Sequence, residues 1–112
     1  YKDEVTIARI GKLQAEEDGF TVLLAHRPEV FGAYVYCGMD LVLTGHVHGG
    51  QFRLPFAGGL YAPGQGFFPK YDAGFFREND TTMVVSRGLG NSSLPWRVNN
   101  PPHLPLLVLS AK

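Results

Sequence analysis

A short apolar run that ends in a glycine-flanked pair of histidines is the feature that most constrains this chain. Residues 41–51 read Leu-Val-Leu-Thr-Gly-His-Val-His-Gly-Gly-Gln. Residues two apart on a strand point to the same face, so His46 and His48 can direct both imidazoles to one place beyond a strand end. The flanking glycines allow a tight turn and the close approach of a ligand. Because neutral imidazole binds Zn, Mn, Fe, Co and Ni well, the pattern predicts a metal site.

The first half of the chain alternates between helical and strand-like patterns. Helix, strand, helix and strand are predicted in that order at residues 3–17, 20–25, 29–37 and 40–43. Both strands are continuous apolar runs, which indicates burial, and the second helix begins at Pro28 and ends before Gly38. This alternation favours an α/β layer with parallel strand pairing. Ligands bind at the carboxyl ends of strands in such sheets, so His26 is predicted to lie beside the histidine pair.

The apolar face of the first helix is loose. It is made by Val5, Ile7, Ile10 and Leu13. Gly11 weakens this helix by roughly 1 kcal/mol relative to alanine. The helix is nevertheless predicted, because its apolar residues recur at helical spacing and Asp3 can cap its first turn.

The second half of the chain has a different character. Residues 53–74 are rich in glycine, proline and aromatic side chains without a lasting period, which predicts one long ordered loop. Further strands are predicted at residues 75–77, 81–86 and 106–109, with a hairpin turn between the first two. His103 lies in a proline-rich stretch and is interpreted as an exposed structural residue.

Composition limits the classes of protein that remain. The chain has 112 residues, 45% of them apolar, and a formal net charge of zero. This is an ordinary globular composition, and the neutral charge argues against a general nucleic-acid binder. Cys37 is the single cysteine, so an internal disulfide is excluded, and its apolar surroundings predict a small buried residue. The chain does not begin with methionine, and we expect it to be a piece of a longer protein.

Several other metal and catalytic motifs are absent. A cupin-type site needs a glutamate a few residues after its His-x-His, but residues 49–52 are Gly-Gly-Gln-Phe. The His-Glu-x-x-His helix of zinc proteases and the Gly-x-Ser-x-Gly turn of serine hydrolases do not occur. The histidine pair therefore belongs to another kind of site.

The chain resembles the carboxyl-terminal half of a calcineurin-like metallophosphoesterase of the bacterial phosphodiesterase branch. The resemblance rests on Leu-Ala-His-Arg-Pro-Glu at 24–29, on the histidine motif within 40–55, and on Val-Ser-Arg-Gly-Leu-Gly at 85–90. It implies an α/β fold that forms half of a four-layer αββα sandwich. In this half, helix-strand-helix-strand is followed by antiparallel strands. Residues 1–112 would then be a single domain, and a carboxyl-terminal fragment of the whole phosphoesterase domain.

The same resemblance implies a site with two divalent transition metal ions, such as Mn, Zn, Fe, Co or Ni. A hydroxide between two metals about 3.5–4 Å apart would attack phosphorus in line. By motif position, His26 and His46 would bind the second metal and His48 the first. Arg27, Arg53 and Arg87 are candidates for contacts with phosphate, because guanidinium matches phosphate geometry. A structural ion pair is the alternative for each arginine.

The remaining ligands of the family come from an amino-terminal half that is absent from these 112 residues. The motifs Asp-x-His, Gly-Asp-x-x-Asp and Gly-Asn-His-Asp/Glu do not occur. Three histidines can hold one transition metal but not a charge-balanced pair, so the fragment should bind at most one metal. We therefore expect phosphodiester or pyrophosphate hydrolysis by the parent protein and inactivity of the fragment alone.

The expected partners follow from the same reading. The substrate would be a small phosphate ester or a lipid-linked one, with peripheral membrane contact through the loop at 54–71 and no nucleic acid. The exposed sheet edge would be covered by the missing amino-terminal half or by self-association. The compartment is left open between the bacterial cytoplasm and the membrane surface. Two alternatives remain: a non-catalytic metal-binding or interaction module, and an inert proteolytic remnant.

Overall fold

The predicted order of helices and strands in the first half is confirmed. A computed structural model describes residues 2–14, 18–45, 53–54, 58–59, 61–62, 66–67, 71, 73–88 and 100–111. In chain order the elements are α1 (Lys2–Gln14), β1 (Val22–Ala25), a 3₁₀ turn (Pro28–Val30), α2 (Phe31–Tyr36), β2 (Leu41–Thr44), β3 (Arg53–Leu54), β4 (Gly58–Gly59), β5 (Tyr61–Ala62), β6 (Gly66–Phe67), β7 (Gly74–Glu78) and β8 (Thr81–Val85). The predicted last turn of the first helix, at 15–17, lies outside the described residues.

The main sheet has four strands in the order β1-β2-β8-β7. β1 pairs parallel with β2, and β2 pairs parallel with β8, which confirms the α/β class. β7 and β8 form an antiparallel hairpin whose turn contains Asn79 at φ +53°. Asparagine tolerates this left-handed conformation, so the predicted hairpin turn is confirmed.

The register between β1 and β2 is fixed at their amino-terminal ends by Thr21 and Asp40. The Asp40 carboxylate accepts hydrogen bonds from the Thr21 amide at 2.8 Å and from the Thr21 hydroxyl at 3.0 Å. The same hydroxyl oxygen accepts a bond from the Asp40 amide at 3.0 Å. A one-residue slip would break all of these bonds and reverse the faces of β1. The strand ends that follow are thereby held level.

The helices pack on one face of this sheet and form the core with it. The buried cluster consists of Ile10, Val30, Phe31, Tyr34, Met39, Val42, Met83 and Val85. The α2 helix ends in a left-handed glycine, Gly38, at φ +70°. The Gly38 amide donates to the Val35 carbonyl at 3.0 Å, and the Met39 amide donates to the Tyr34 carbonyl at 3.2 Å. This closing turn satisfies the last carbonyls of the helix and returns the chain into β2.

The opposite face of the sheet is exposed to solvent at its two edge strands, β1 and β7. The register places Leu24, Leu43, Val84 and Phe75 side by side across the four strands. Leu24 is 77% exposed and Phe75 is 69% exposed. The prediction of a buried strand at 20–25 is therefore wrong in part. β1 is an edge strand whose helix-facing residues, Leu23 and Ala25, are half-buried.

Two predictions for the second half are also wrong. Residues 106–109 are not a strand, and Leu106 is 91% exposed. The segment lines a cavity together with Phe75 and Val84, and it pairs with neither edge strand of the described sheet. The loop at 53–74 contains the short antiparallel pairs β3-β4 and β5-β6. Strands of two residues are too short to produce a detectable alternation.

Two side chains are more exposed than predicted. Leu13 is 70% exposed, whereas Ile10 on the same helix is buried, so the apolar stripe of α1 is narrower than expected. Cys37 is half-buried, not fully buried, and its surroundings raise the pKa of the thiol by desolvation. Its carbonyl accepts a hydrogen bond from the Gln14 side chain at 2.8 Å, which links the ends of the two helices.

Tyr34 makes stability sensitive to alkaline pH. Burial, and then the negative charge of Glu29, raise the pKa of Tyr34 from 10.0 to about 12. The folded protein thus holds this proton more tightly than the unfolded chain. The resulting stabilisation is complete below pH 10 and is lost as the pH rises to about 12. We expect the free energy of unfolding to fall by up to about 2–3 kcal/mol across this window.

Urea unfolding of the wild type and the Tyr34→Phe variant at both ends of the window measures this effect. The variant loses the hydrogen bond from the tyrosine hydroxyl to the Arg27 carbonyl, which is 2.7 Å long, so its stability at neutral pH should be lower. Its alkaline loss should nevertheless be smaller than that of the wild type. Equal alkaline losses in both proteins would contradict the prediction.

Candidate functional site at the carboxyl ends of the strands

The carboxyl ends of three parallel strands meet at one edge of the sheet. Ala25 pairs with Thr44, so His26 and Gly45 leave adjacent strands at the same level. The Ser86 amide donates to the Thr44 carbonyl at 2.9 Å, which brings the residue after β8 to this edge as well. His26, Thr44, Gly45 and Ser86 all line one shallow depression, together with the ends of β1 and β2. This is the edge at which α/β sheets bind ligands.

Among the predicted metal ligands, His26 is the one within the described residues. It directly follows β1 and is exposed, so the imidazole is accessible from the depression. His46 and His48 lie outside the described residues, although His46 directly follows Gly45 in the chain. The structure therefore brings His26 to the point where the histidine motif begins. The meeting of all three imidazoles stays a prediction.

Thr44 provides a test of whether this edge suits a polar ligand. The residue is only 8% exposed, and its hydroxyl oxygen is buried with no hydrogen bond among the described residues. A buried polar atom without a partner costs roughly 1–3 kcal/mol, so such atoms often serve a ligand or water. The described residues contain no group of three or more His, Cys, Asp and Glu side chains that could hold a metal. The described edge thus offers one imidazole and one unpaired hydroxyl, which fits part of a metal site.

Arg27 is engaged in a loose ion pair beside His26. Its Nη1 lies 3.9 Å from Oε1 of Glu29, which is beyond hydrogen-bonding distance, and its side chain is 50% exposed. Both carboxylate oxygens of Glu29 are buried and have no hydrogen bond within the described part of the chain. The sequence did not single out Glu29, because a lone glutamate at the start of a helix is ordinary. Arg27 remains a candidate for phosphate.

Of the other two phosphate candidates, Arg53 and Arg87, the structure describes the side chain of Arg87 alone. Arg53 lies on β3, and its side chain is outside the described residues. Arg87 is half-buried, and its Nε has no hydrogen-bond partner among the residues that the structure describes. The Arg87 main-chain amide donates to Nδ1 of His103 at 3.1 Å. The structural role predicted for His103 is therefore confirmed, but its predicted exposure is wrong, since it is half-buried.

Sequence comparison identifies the class of protein to which this edge and its histidine motif point. The chain is homologous to bacterial metallophosphoesterases, which confirms the resemblance found in the sequence. It spans only about a third of the length of the curated relatives it matches. No solved structure and no protein-family profile matches the chain.

Three relatives represent this similarity. The uncharacterised metallophosphoesterase YkuE of Bacillus subtilis is 35% identical over 92 residues, which cover 82% of this chain and 32% of YkuE. The phosphodiesterase YaeI of Escherichia coli is 34% identical over 88 residues, which are 79% of this chain and 32% of YaeI. The uncharacterised metallophosphoesterase Cj0846 of Campylobacter jejuni is 36% identical over 107 residues, which are 95% of this chain and 27% of Cj0846.

Proposed function

We propose that this chain is part of a metal-dependent phosphoesterase that hydrolyses phosphodiesters or pyrophosphates. The observation that carries the proposal is the depression at the strand ends, which is lined by His26, Thr44, Gly45 and Ser86. The histidine pair begins at the residue after Gly45 in the chain. The relatives named as metallophosphoesterases, and YaeI named as a phosphodiesterase, support the same chemistry.

In this proposal the metal ligands from this chain are His26, His46 and His48. A pair of divalent transition metal ions, when bound, would supply Lewis-acid activation of water and neutralise phosphate charge. The imidazole of His26 is already exposed at the edge. The carboxylates that would balance two metals would come from outside these 112 residues.

Arg27 and Arg87 are the described cations closest in sequence to this edge. Arg27 lies 3.9 Å from Glu29, whose carboxylate oxygens are buried with no hydrogen bond among the described residues, so binding a phosphate would weaken the attraction that Arg27 offers to that carboxylate. Arg87 follows Ser86, which lines the depression. Both guanidinium groups would bind non-bridging phosphate oxygens and orient the ester.

The direct test is hydrolysis of bis(p-nitrophenyl) phosphate by the protein at its full natural length. We expect activity that disappears after treatment with a chelator and returns with Mn²⁺ or Zn²⁺. Absence of turnover with all five metals tested (Mn, Zn, Fe, Co and Ni) would contradict the proposed activity. Bound metal without turnover would favour the alternative of a non-catalytic metal-binding module, which the missing aspartate and asparagine motifs support for this chain by itself.

We further propose that the open face of the sheet forms one half of the interior of the αββα sandwich. The apolar row from Leu24 to Phe75 supports this placement, because a solvent-facing sheet surface normally carries polar residues. The isolated 112-residue chain should therefore self-associate through this face or along β1.

Sedimentation velocity of the isolated chain measures this association. Phe75→Lys places a charge on the apolar row and should shift the distribution towards the monomer. Tyr36→Lys is the matched control, because Tyr36 is an exposed aromatic residue on a helix, 78% exposed, and not part of this row. A compact monomeric wild type at high concentration would overturn the proposed placement of this face.

A further inference from the structure

The segment that begins at residue 100 is fastened at His103 to the loop that follows β8. The His103 amide donates to the Gly88 carbonyl at 2.8 Å, and the Ser86 hydroxyl donates to the His103 carbonyl at 3.2 Å. The Arg87 amide donates to His103 Nδ1 at 3.1 Å. Three consecutive residues are thus bound to one histidine through both its main chain and its ring.

The first of these three residues borders the candidate site, and the other two follow it directly in the chain. Ser86 lines the strand-end depression, and its amide bonds to the carbonyl of Thr44 at 2.9 Å. The Ser86 hydroxyl also accepts a hydrogen bond from the Gly88 amide at 3.0 Å, which bends the loop back on itself. Gly88 adopts a φ of +74°, a value that side chains rarely allow. Any displacement of this loop would therefore move the rim of the depression and the start of the Arg87 side chain.

We propose that His103 is a positioning residue, which holds Ser86 and Arg87 in place at the rim of the phosphate site. This inference rests on the proposed function of that site. His103 need not touch the substrate, because it acts through the main chain of Arg87. Among the hydrogen bonds between His103 and residues 86–88, the bond accepted by Nδ1 is the one made by the His103 side chain.

The geometry also fixes the state of the histidine ring. Because the Arg87 amide donates to Nδ1, this nitrogen has no proton, and the neutral ring carries its proton on Nε2. Nitrogen-15 shifts of the His103 ring should show this tautomer. A ring with its proton on Nδ1 would overturn the proposal.

A matched pair of variants isolates the ring acceptor. His103→Asn keeps an acceptor at the position of Nδ1, whereas His103→Leu has a branched side chain of similar reach without an acceptor. The main-chain bonds to Gly88 and Ser86 are available in both variants. Loss of one hydrogen bond should accelerate hydrogen exchange of the Arg87 amide by about five- to tenfold in the leucine variant. The asparagine variant should stay within about twofold of the wild type, and unchanged exchange in the leucine variant would overturn the proposal.

Kinetics of the metal-loaded protein at its full natural length provide the second test. With bis(p-nitrophenyl) phosphate as substrate, His103→Leu should raise KM by about three- to tenfold and change kcat by less than about twofold. His103→Asn should restore KM, and Leu106→Ala, an exposed residue on the same segment, should leave both constants unchanged. An active leucine variant with wild-type KM would overturn the positioning role. An inactive wild type would count against the proposed function instead, and the exchange rates and ring tautomer would then decide the role of His103.

Discussion

Replacing His46 and His48 with alanine is expected to reduce metal-dependent phosphodiester hydrolysis by about 100-fold or more in the protein at its full natural length. Removing even an outer hydrogen-bond partner of a metal ligand typically costs about 10–100-fold in activity or metal affinity, so loss of direct ligands should cost at least as much. The bound metal content should fall in parallel. His26→Ala should act in the same direction, because His26 lies at the strand end beside Gly45.

The control for this prediction is a substitution remote from the strand ends. Tyr36→Ala removes an exposed side chain at the end of α2 and should leave both metal content and hydrolysis unchanged. Metal content, turnover and circular dichroism should be measured on the same samples. The circular dichroism spectrum then separates a folding defect from a loss of metal ligands. Wild-type activity in the double histidine variant would remove the histidine motif from the mechanism.

The largest expected effect on stability is that of Met83→Ala. Met83 is fully buried in the middle of β8, an interior strand paired on both sides. Its side chain lies in the cluster that joins the helices to the sheet, together with Val42 and Val85. Truncation removes apolar contacts and leaves a cavity, which typically costs about 2–5 kcal/mol.

Urea unfolding measures this loss directly. Leu104→Ala is the matched control, because Leu104 is a comparable apolar residue that is 81% exposed. Its effect should stay within about 0.5 kcal/mol. Equal effects of both substitutions would mean that the described core does not carry the stability of the domain.

The burial of β1 shows where sequence patterns fail to predict the fold. Both β1 and β2 read as continuous apolar runs, and both were predicted to be buried. β2 is interior and is buried, whereas β1 lies at the edge and exposes Val22 and Leu24. An apolar run indicates that both faces of a strand can be buried. It does not show whether the residues that bury them lie within these 112 residues. Residues 106–109 show the same limit, because strand propensity produces a strand only where a segment pairs with an edge strand, and this segment pairs with neither edge of the described sheet.

Only part of the candidate site could be predicted from the sequence. His26 and the histidine pair could be found because glycine, proline and histidine mark the ends of apolar runs. The roles of Ser86 and Arg87 towards His103 could not, since these residues lie 17 and 16 positions from it in the sequence. No periodic pattern encodes hydrogen bonds between a side chain and such a distant main chain. Thr44 was missed because its unpaired hydroxyl becomes apparent only once its burial is known.

The proposed two-metal site is best tested by measuring metal content and phosphodiesterase activity side by side on the full-length protein and on the 112-residue chain. We expect about two transition metal ions and chelator-sensitive turnover in the full-length protein, given the two-metal chemistry of such hydrolases. We expect at most about one metal and no significant turnover in the isolated chain, because three histidines lack the bridging carboxylates. Strong metal-dependent turnover by the isolated chain, or a full-length protein that binds no transition metal, would contradict the proposed site.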